Sequence, residues 1–154
     1  MACATGVELR VIEHMPLDAH ESWDRSSMVT AAEVLATLST AFELVPMAQR
    51  GSAPAERWEV LEGGVRLGTV GVIASVTRPF CGDCDRMRLT ADGQVRSCLF
   101  SVSGTDLRGL MRSGADDETL ALAWRDNAWA KKAGHGTDDE GFVRPDRPMS
   151  AIGG

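Results

Sequence analysis

The chain has 154 residues, enough for a domain with a buried core. Its net charge of −6 argues against a general nucleic-acid binder, and no apolar run approaches the roughly 20 residues of a membrane span. The start of the chain lacks the basic flank and apolar stretch of a signal peptide. We therefore expect a cytoplasmic protein that binds neither nucleic acid nor a membrane.

The amino-terminal third predicts a strand, a helix and a second strand. Residues 7–15 alternate apolar and polar side chains and end at Pro16, a pattern typical of a strand. Thr30-Ala31-Ala32-Glu33 matches a capping box, which predicts a helix that continues to about Phe42. A short strand is predicted at residues 43–47.

Two β-hairpins are predicted in the middle of the chain, one turning at Gly63-Gly64 and the other at Asp92-Gly93. Their strands are predicted at residues 57–61, 65–76, 87–90 and 94–99. Two helices follow, at residues 106–112 and 116–132. The second helix carries an apolar stripe that predicts packing in the core: Leu120, Ala121, Trp124 and Ala128. The Gly- and Pro-rich ending shows no regular pattern.

Three of the four cysteines cluster with the spacing Cys81-x2-Cys84-x13-Cys98. A two-residue gap lets two thiolates face one centre, and the predicted hairpin folds the third cysteine back toward them. A [4Fe–4S] cluster normally takes four thiolates, so three would leave one iron open to a ligand. A cytosolic location disfavours disulfides between these residues.

Three other interpretations of the cysteines stay open on spacing alone. Structural zinc needs a fourth Cys or His ligand, and the three histidines, His14, His20 and His135, are all distant in sequence. A thioredoxin-like pair would need a helix after the first cysteine, where a hairpin is predicted instead. Buried, unreactive cysteines are the third interpretation.

Four arginines accompany the cysteines: Arg78, Arg86, Arg88 and Arg96. A guanidinium group presents a rigid fork that suits phosphate oxygens, so a basic island in an acidic chain indicates a small anionic ligand. Arg86 and Arg88 alternate on a predicted strand and would therefore share a face. The alternative is a set of solvated surface charges.

The segment at residues 78–99 resembles the carboxyl-terminal cluster motif of the GTP 3′,8-cyclase family of molybdenum cofactor biosynthesis. Residues 9–17 resemble a late barrel strand of that family, and residues 147–154 resemble its double-glycine tail. The resemblance implies a radical S-adenosyl-L-methionine enzyme that rearranges GTP into 3′,8-cyclo-7,8-dihydro-GTP. It also implies two [4Fe–4S] clusters in the full-length family, one of which cleaves S-adenosyl-L-methionine while the other anchors GTP.

Site residues follow from the resemblance by position. The ligands of the carboxyl-terminal cluster match three thiols: Cys81, Cys84 and Cys98. The GTP-binding stretch matches Arg86, Met87 and Arg88. The S-adenosyl-L-methionine site matches Met15, and the tail that enters the active-site cavity matches Gly153 and Gly154. By residue type alone, Met15 is more typical of a core methionine at a strand end, and a Gly-Gly ending is typical of a disordered terminus.

The resemblance implies an α/β fold: the terminal strand or strands of a partial (β/α) TIM-like barrel, then an antiparallel sheet and helices that carry the cysteines. Residues 1–50 would end the barrel, and residues 51–154 would form the cluster and GTP-binding region. The front of the barrel would be missing, so an open strand edge is predicted at residues 7–12.

One departure from the family decides the functional prediction. The chain holds no CxxxCxxC motif, which supplies the cluster that cleaves S-adenosyl-L-methionine in the family. We therefore expect a truncated form, or a fragment of a longer enzyme, that retains the GTP-binding half and is inactive alone; a homodimer is expected only as part of the longer chain. The alternative function is a small zinc-stabilised binding module without catalysis.

Overall fold

The computed structural model describes residues 6–17, 22–48, 50–145 and 147–152. The chain divides into two compact units. The first unit comprises Met1–Met15 and Asp24–Cys84, and the second comprises Pro16–Trp23 and Asp85–Gly154. No helix in the described part of the chain is long and apolar enough to cross a membrane.

The first unit contains one helix and a four-stranded mixed sheet. Its elements are β1 (Leu9–Ile12), α1 (Ala31–Ser39), β2 (Glu43–Pro46), β3 (Glu56–Glu62) and β4 (Val65–Ile73). The strand order is β1-β4-β3-β2, with β1 parallel to β4 and the other pairs antiparallel. Because β1 lies at the edge and exposes about half of Leu9 and Ile12, the predicted open edge is confirmed.

Helix α1 begins at the predicted capping box. The Thr30 hydroxyl accepts from the Glu33 amide at 3.2 Å, and the Glu33 carboxylate accepts from the Thr30 amide at 2.8 Å. The helix ends at Ser39, a few residues before the predicted end. Its buried first residue, Ala31, packs with Val72 and Ala74 to form the core of the sheet.

The β3–β4 hairpin turns as predicted at Gly63 and Gly64, whose φ angles are +56° and +78°. Two consecutive positive φ values are the signature of the tight turn that matches the twist of the strands, and glycine adopts them without a steric penalty. The fold is therefore α/β, as predicted, and the described residues contain no closed barrel. Whether β1 ends a barrel stays a prediction.

The second unit contains a smaller antiparallel sheet and two helices. Its elements are β5 (Arg88–Leu89), β6 (Gln94–Arg96), β7 (Thr105–Asp106), α2 (Leu107–Arg112) and α3 (Asp117–Trp129). The strand order is β5-β6-β7. Both helices have aspartate caps, because Asp106 accepts from the Gly109 amide and Asp116 from the Thr119 amide, each at 2.9 Å.

Two predictions for the second unit are wrong. The hairpin strands are much shorter than predicted, and β7 was not predicted at all. Helix α3 buries no residue: of the predicted stripe, Leu120 and Ala128 are only partly buried, Ala121 is exposed, and Trp124 is 39% exposed. The helix is held instead by a polar contact, because the Asn127 amide donates to the Val95 carbonyl at 3.1 Å and to the Thr105 hydroxyl at 3.0 Å.

The carboxyl-terminal segment contains one short 3-10 turn at Met149–Ala151, where no regular structure was predicted. The Met149 amide donates to the Leu17 carbonyl at 3.1 Å, and Ile152 is fully buried. The end of the chain is therefore anchored as far as Ile152.

Candidate functional site

Cys81 and Cys84 lie in the first unit, in the segment that follows β4. A 3-10 turn spans Cys81–Asp83, and the Cys84 amide donates to the Cys81 carbonyl at 3.3 Å. Both cysteines are partly buried. The turn keeps the two cysteines close along the backbone, and the prediction that their thiolates face one centre stays a prediction.

Aromatic and ionic contacts surround this cysteine pair. The guanidinium carbon of Arg50 lies 5.3 Å from the ring centre of Phe80, which directly precedes Cys81. Arg78 pairs with the Glu56 carboxylate at 2.6 Å, and Arg50 lies 3.4 Å from the same carboxylate. The role of Arg78 that the sequence left open is therefore an ion pair within the first unit.

A buried carboxylate fixes the backbone where β4 leads toward these cysteines. Glu13 is only 3% exposed, and it accepts from the amides of Ala31, Val76 and Thr77, each at 2.8 Å. The Thr77 hydroxyl donates to the same group at 2.6 Å. Burial works to raise the pKa of Glu13, but these hydrogen bonds outweigh it and hold the pKa below its ordinary value. Sequence reasoning missed this residue, because one glutamate at a strand end is not a pattern.

Cys98 lies in the second unit, just after β6. It is a free, partly buried thiol whose sulfur accepts a hydrogen bond from the Phe100 amide at 3.5 Å. The Ser101 amide donates to the Cys98 carbonyl at 3.2 Å. Backbone donors directed at a cysteine sulfur are among the features that tune iron–sulfur centres, so this environment suits a metal-bound thiolate.

The predicted GTP-binding residues Arg86, Met87 and Arg88 are all partly buried in the second unit. Strand β5 begins only at Arg88, so strand alternation does not give Arg86 and Arg88 a common face. Arg88 lies directly opposite Arg96 in the β5–β6 ladder. Arg96 is 4% exposed and donates to the Ser101 carbonyl at 2.6 Å, so it supports the loop around Cys98.

A cavity of about 370 Å³ within the second unit adjoins the third cysteine. Cys98, Phe100, Lys132 and His135 are among the residues that line it. The rings of Phe100 and His135 lie 5.0 Å apart, and the His135 Nδ1 atom accepts from the Thr137 amide at 3.1 Å. A histidine and a cysteine thus line one cavity, and this is the observation that favours the alternative zinc site.

The three cysteines fit an iron–sulfur cluster in their chemistry, because thiols are the usual ligands of such clusters and all three side chains are partly buried. The described residues nevertheless contain no group of three Cys, His, Asp or Glu side chains arranged to hold a metal ion. Cys81 and Cys84 belong to the first unit and Cys98 to the second. A cluster shared by the three cysteines therefore stays a prediction.

The remaining predicted site residues are placed as follows. Met15 follows β1 and is partly buried. Gly153 and Gly154 lie outside the described residues, and so does His20.

Comparison with known proteins decides the family. Residues 7–137 match the model of the family described as Molybdenum Cofactor Synthesis C. The chain belongs to this family. The match includes both hairpins and all three clustered cysteines, so the resemblance detected in the sequence is confirmed.

Similar proteins extend the match over nearly the whole chain. The chain is 60% identical to a GTP 3′,8-cyclase of Mycolicibacterium smegmatis over 151 residues, 97% of its own length. It is 62% identical to that of Streptomyces coelicolor over 149 residues and 56% identical to that of Corynebacterium glutamicum over 152. The chain spans only 42%, 43% and 40% of the length of these three relatives.

Proposed function

We propose that this chain is the GTP-binding half of a GTP 3′,8-cyclase and takes part in molybdenum cofactor biosynthesis. One observation supports the proposal above all: 56–62% identity to three proteins of that name over almost the entire chain.

In this proposal the thiols of Cys81, Cys84 and Cys98 hold one [4Fe–4S] cluster. With three thiolates, such a cluster supplies an open iron that accepts a nitrogen or oxygen donor of a nucleotide. The other contributions come from side chains of this chain. Arg86 and Arg88 present two guanidinium forks for phosphate oxygens, with Met87 between them.

Further roles follow the family pattern. Met15 would border the S-adenosyl-L-methionine site of the complete enzyme, and the Gly153-Gly154 tail would enter the active-site cavity. Residues 1–50 would end the barrel, residues 51–154 would form the cluster region, and the longer chain would form a homodimer. Because these 154 residues hold no CxxxCxxC motif, we propose that they bind GTP without starting the radical reaction themselves.

Anaerobic reconstitution with iron and sulfide tests this proposal. Mössbauer spectroscopy should show one cubane cluster per chain, and GTP should shift the EPR spectrum of its reduced form because the nucleotide binds the open iron. The Cys98→Ser variant should lose the cluster, whereas Cys3→Ser, which alters the one cysteine outside the trio, should keep it. A C98S variant with an unchanged cluster would refute the assignment.

The alternative is a zinc-stabilised binding module, favoured by the cavity that Cys98 and His135 share. Elemental analysis of protein purified from cells separates the two functions. Stoichiometric zinc that is lost in His135→Ala, together with no iron-dependent spectrum, would establish the module and exclude the cyclase half.

A further inference from the structure

The ammonium group of Lys131 joins two parts of the second unit. Lys131 lies just beyond the last turn of α3, and its Nζ atom donates to the Arg86 carbonyl at 2.7 Å and to the Ser97 carbonyl. The side chain is partly buried. A part-buried lysine that makes two backbone hydrogen bonds is unusual, since this residue normally keeps its charge in water.

These two carbonyls lie where the β5–β6 ladder ends. The last paired residues are Arg88 and Arg96, and the two chain segments continue beyond them without ladder pairing. Arg86 lies on one segment and Ser97 on the other. By bonding both carbonyls, Lys131 takes the place of the ladder hydrogen bonds that end there.

We propose that Lys131 is a positioning residue that fixes the spacing between the GTP-binding stretch and Cys98. This inference rests on the proposed function, because it assigns purpose to the distance between a nucleotide-binding arginine and a cluster ligand. Arg86 begins the GTP-binding stretch, and Ser97 directly precedes Cys98. One ammonium group therefore sets how far apart the two are held, without touching the nucleotide or the metal itself.

The sequence supplies a matched control for this residue. The chain contains two lysines, Lys131 and Lys132, which are adjacent. Lys132 has the same chemistry but is exposed. Any effect of lysine chemistry or net charge is shared by both, so a difference between them reports the two carbonyl contacts.

The first experiment uses the unaltered chain without metal. Trace acetylation with acetic anhydride, read by mass spectrometry, should modify Lys131 about tenfold more slowly than Lys132, because hydrogen bonds to a charged donor must break first. The two rates should become equal in urea. Equal rates in the folded chain would overturn the proposal.

The second experiment measures the cysteine that Lys131 is inferred to hold. In Lys131→Met, alkylation of Cys98 by iodoacetamide should accelerate about tenfold while that of Cys81 stays unchanged, since the loss is local. Lys131→Arg should largely restore the slow rate because it keeps charge and donors, and Arg125→Met, which removes an exposed positive charge of α3, should resemble the unaltered chain. A K131M variant in which all the cysteines accelerate equally would mean general destabilisation and would refute a positioning role.

The third experiment tests whether Lys131 affects GTP binding. In the reconstituted chain, K131M should weaken GTP binding about tenfold while iron content stays unchanged, and Arg125→Met, which removes an exposed positive charge of α3, should not. Equal GTP affinity in K131M and R125M would overturn the role of Lys131 in nucleotide binding. If the unaltered chain binds neither iron nor GTP, the proposed function fails, whereas the acetylation and alkylation results still decide whether Lys131 holds Cys98.

Discussion

The two units are stabilised by different kinds of interaction. In the first, the nine-residue strand β4 is paired on both sides and buries an apolar row that includes Val70 and Val72. In the second, strands of two or three residues are tied together by side chains that donate to backbone carbonyls, Lys131 and Asn127 among them. The pair Cys81 and Cys84 thus follows a continuous sheet. Cys98, in contrast, lies among short strands that are joined by hydrogen bonds from side chains to backbone carbonyls.

The largest expected effect concerns Glu13, the buried carboxylate of the first unit. Glu13→Ala should lower the free energy of unfolding by about 3–5 kcal/mol, because two buried amides, one part-buried amide and a hydroxyl lose their acceptor. Urea unfolding measures this. Glu8→Gln, which alters a carboxylate paired with Arg10 and Arg57 near the surface, should cost less than about 1 kcal/mol. Equal losses of unfolding free energy in the two variants would mean that Glu13 contributes no more to stability than the surface carboxylate of Glu8.

The next effect concerns the turn of the small sheet. Gly93 has a φ of +80°, and a Cβ atom there would lie 2.5 Å from the Arg108 Cβ. Gly93→Ala should therefore destabilise the chain by about 2–4 kcal/mol through backbone strain and overpacking. Gly114 has a φ of +84° with nothing nearby, so Gly114→Ala should cost only about 1 kcal/mol. Thermal unfolding measures both. In Gly93→Ala, amide hydrogen exchange should accelerate mainly in the second unit. An equal acceleration in both units would contradict the conclusion that the two units are stabilised by different interactions.

A smaller effect is expected at the start of α1. Thr30→Ala removes the hydroxyl half of the capping box and should cost about 1 kcal/mol of unfolding free energy. Thr40→Ala, at the other end of the helix, is the control and should cost clearly less, since its hydroxyl bonds only the Thr37 carbonyl. If the two variants lost equal unfolding free energy, the Thr30 cap would contribute no more to stability than the Thr40 hydroxyl.

The smallest effect is a pH dependence in the second unit. The Thr90 hydroxyl and the Arg147 guanidinium lower the pKa of Asp92 from 3.8 to about 2. A carboxyl with a lowered pKa in the folded state stabilises fully above its unfolded pKa, and the contribution disappears as pH falls toward about 2. Urea unfolding of Asp92→Asn and the unaltered chain should therefore differ at neutral pH and converge near pH 2. Arg147→Met should remove part of the same difference.

Local signals in the sequence predicted local structure well. The capping box at Thr30 and the glycine turns at Gly63-Gly64 and Gly93 depend on residues within one turn of each other. The physics of such features is contained in a short window of sequence, so they could be predicted without tertiary information.

Features that depend on distant residues were missed. Nothing near Glu13 indicates that Val76 and Thr77 will bond it, and nothing near Lys131 indicates the carbonyls of Arg86 and Ser97. The apolar stripe of α3 was misleading because the helix attaches through Asn127 instead of its tryptophans. The cysteine motif identified the candidate ligands, but spacing could not show that the chain divides between Cys84 and Asp85.

The parallel pairing of β1 with β4 determines the order in which the first unit can assemble. Leu9 pairs with Val70, and the intervening chain includes α1, β2 and β3. The β3–β4 hairpin needs only a two-glycine turn, so it can close early, whereas β1 must wait until β4 has been synthesised. Among the strands of the first unit, β1 is therefore the one that waits longest for the partner it has in this sheet, and its apolar side chains would be available to chaperones that bind extended segments until β4 emerges.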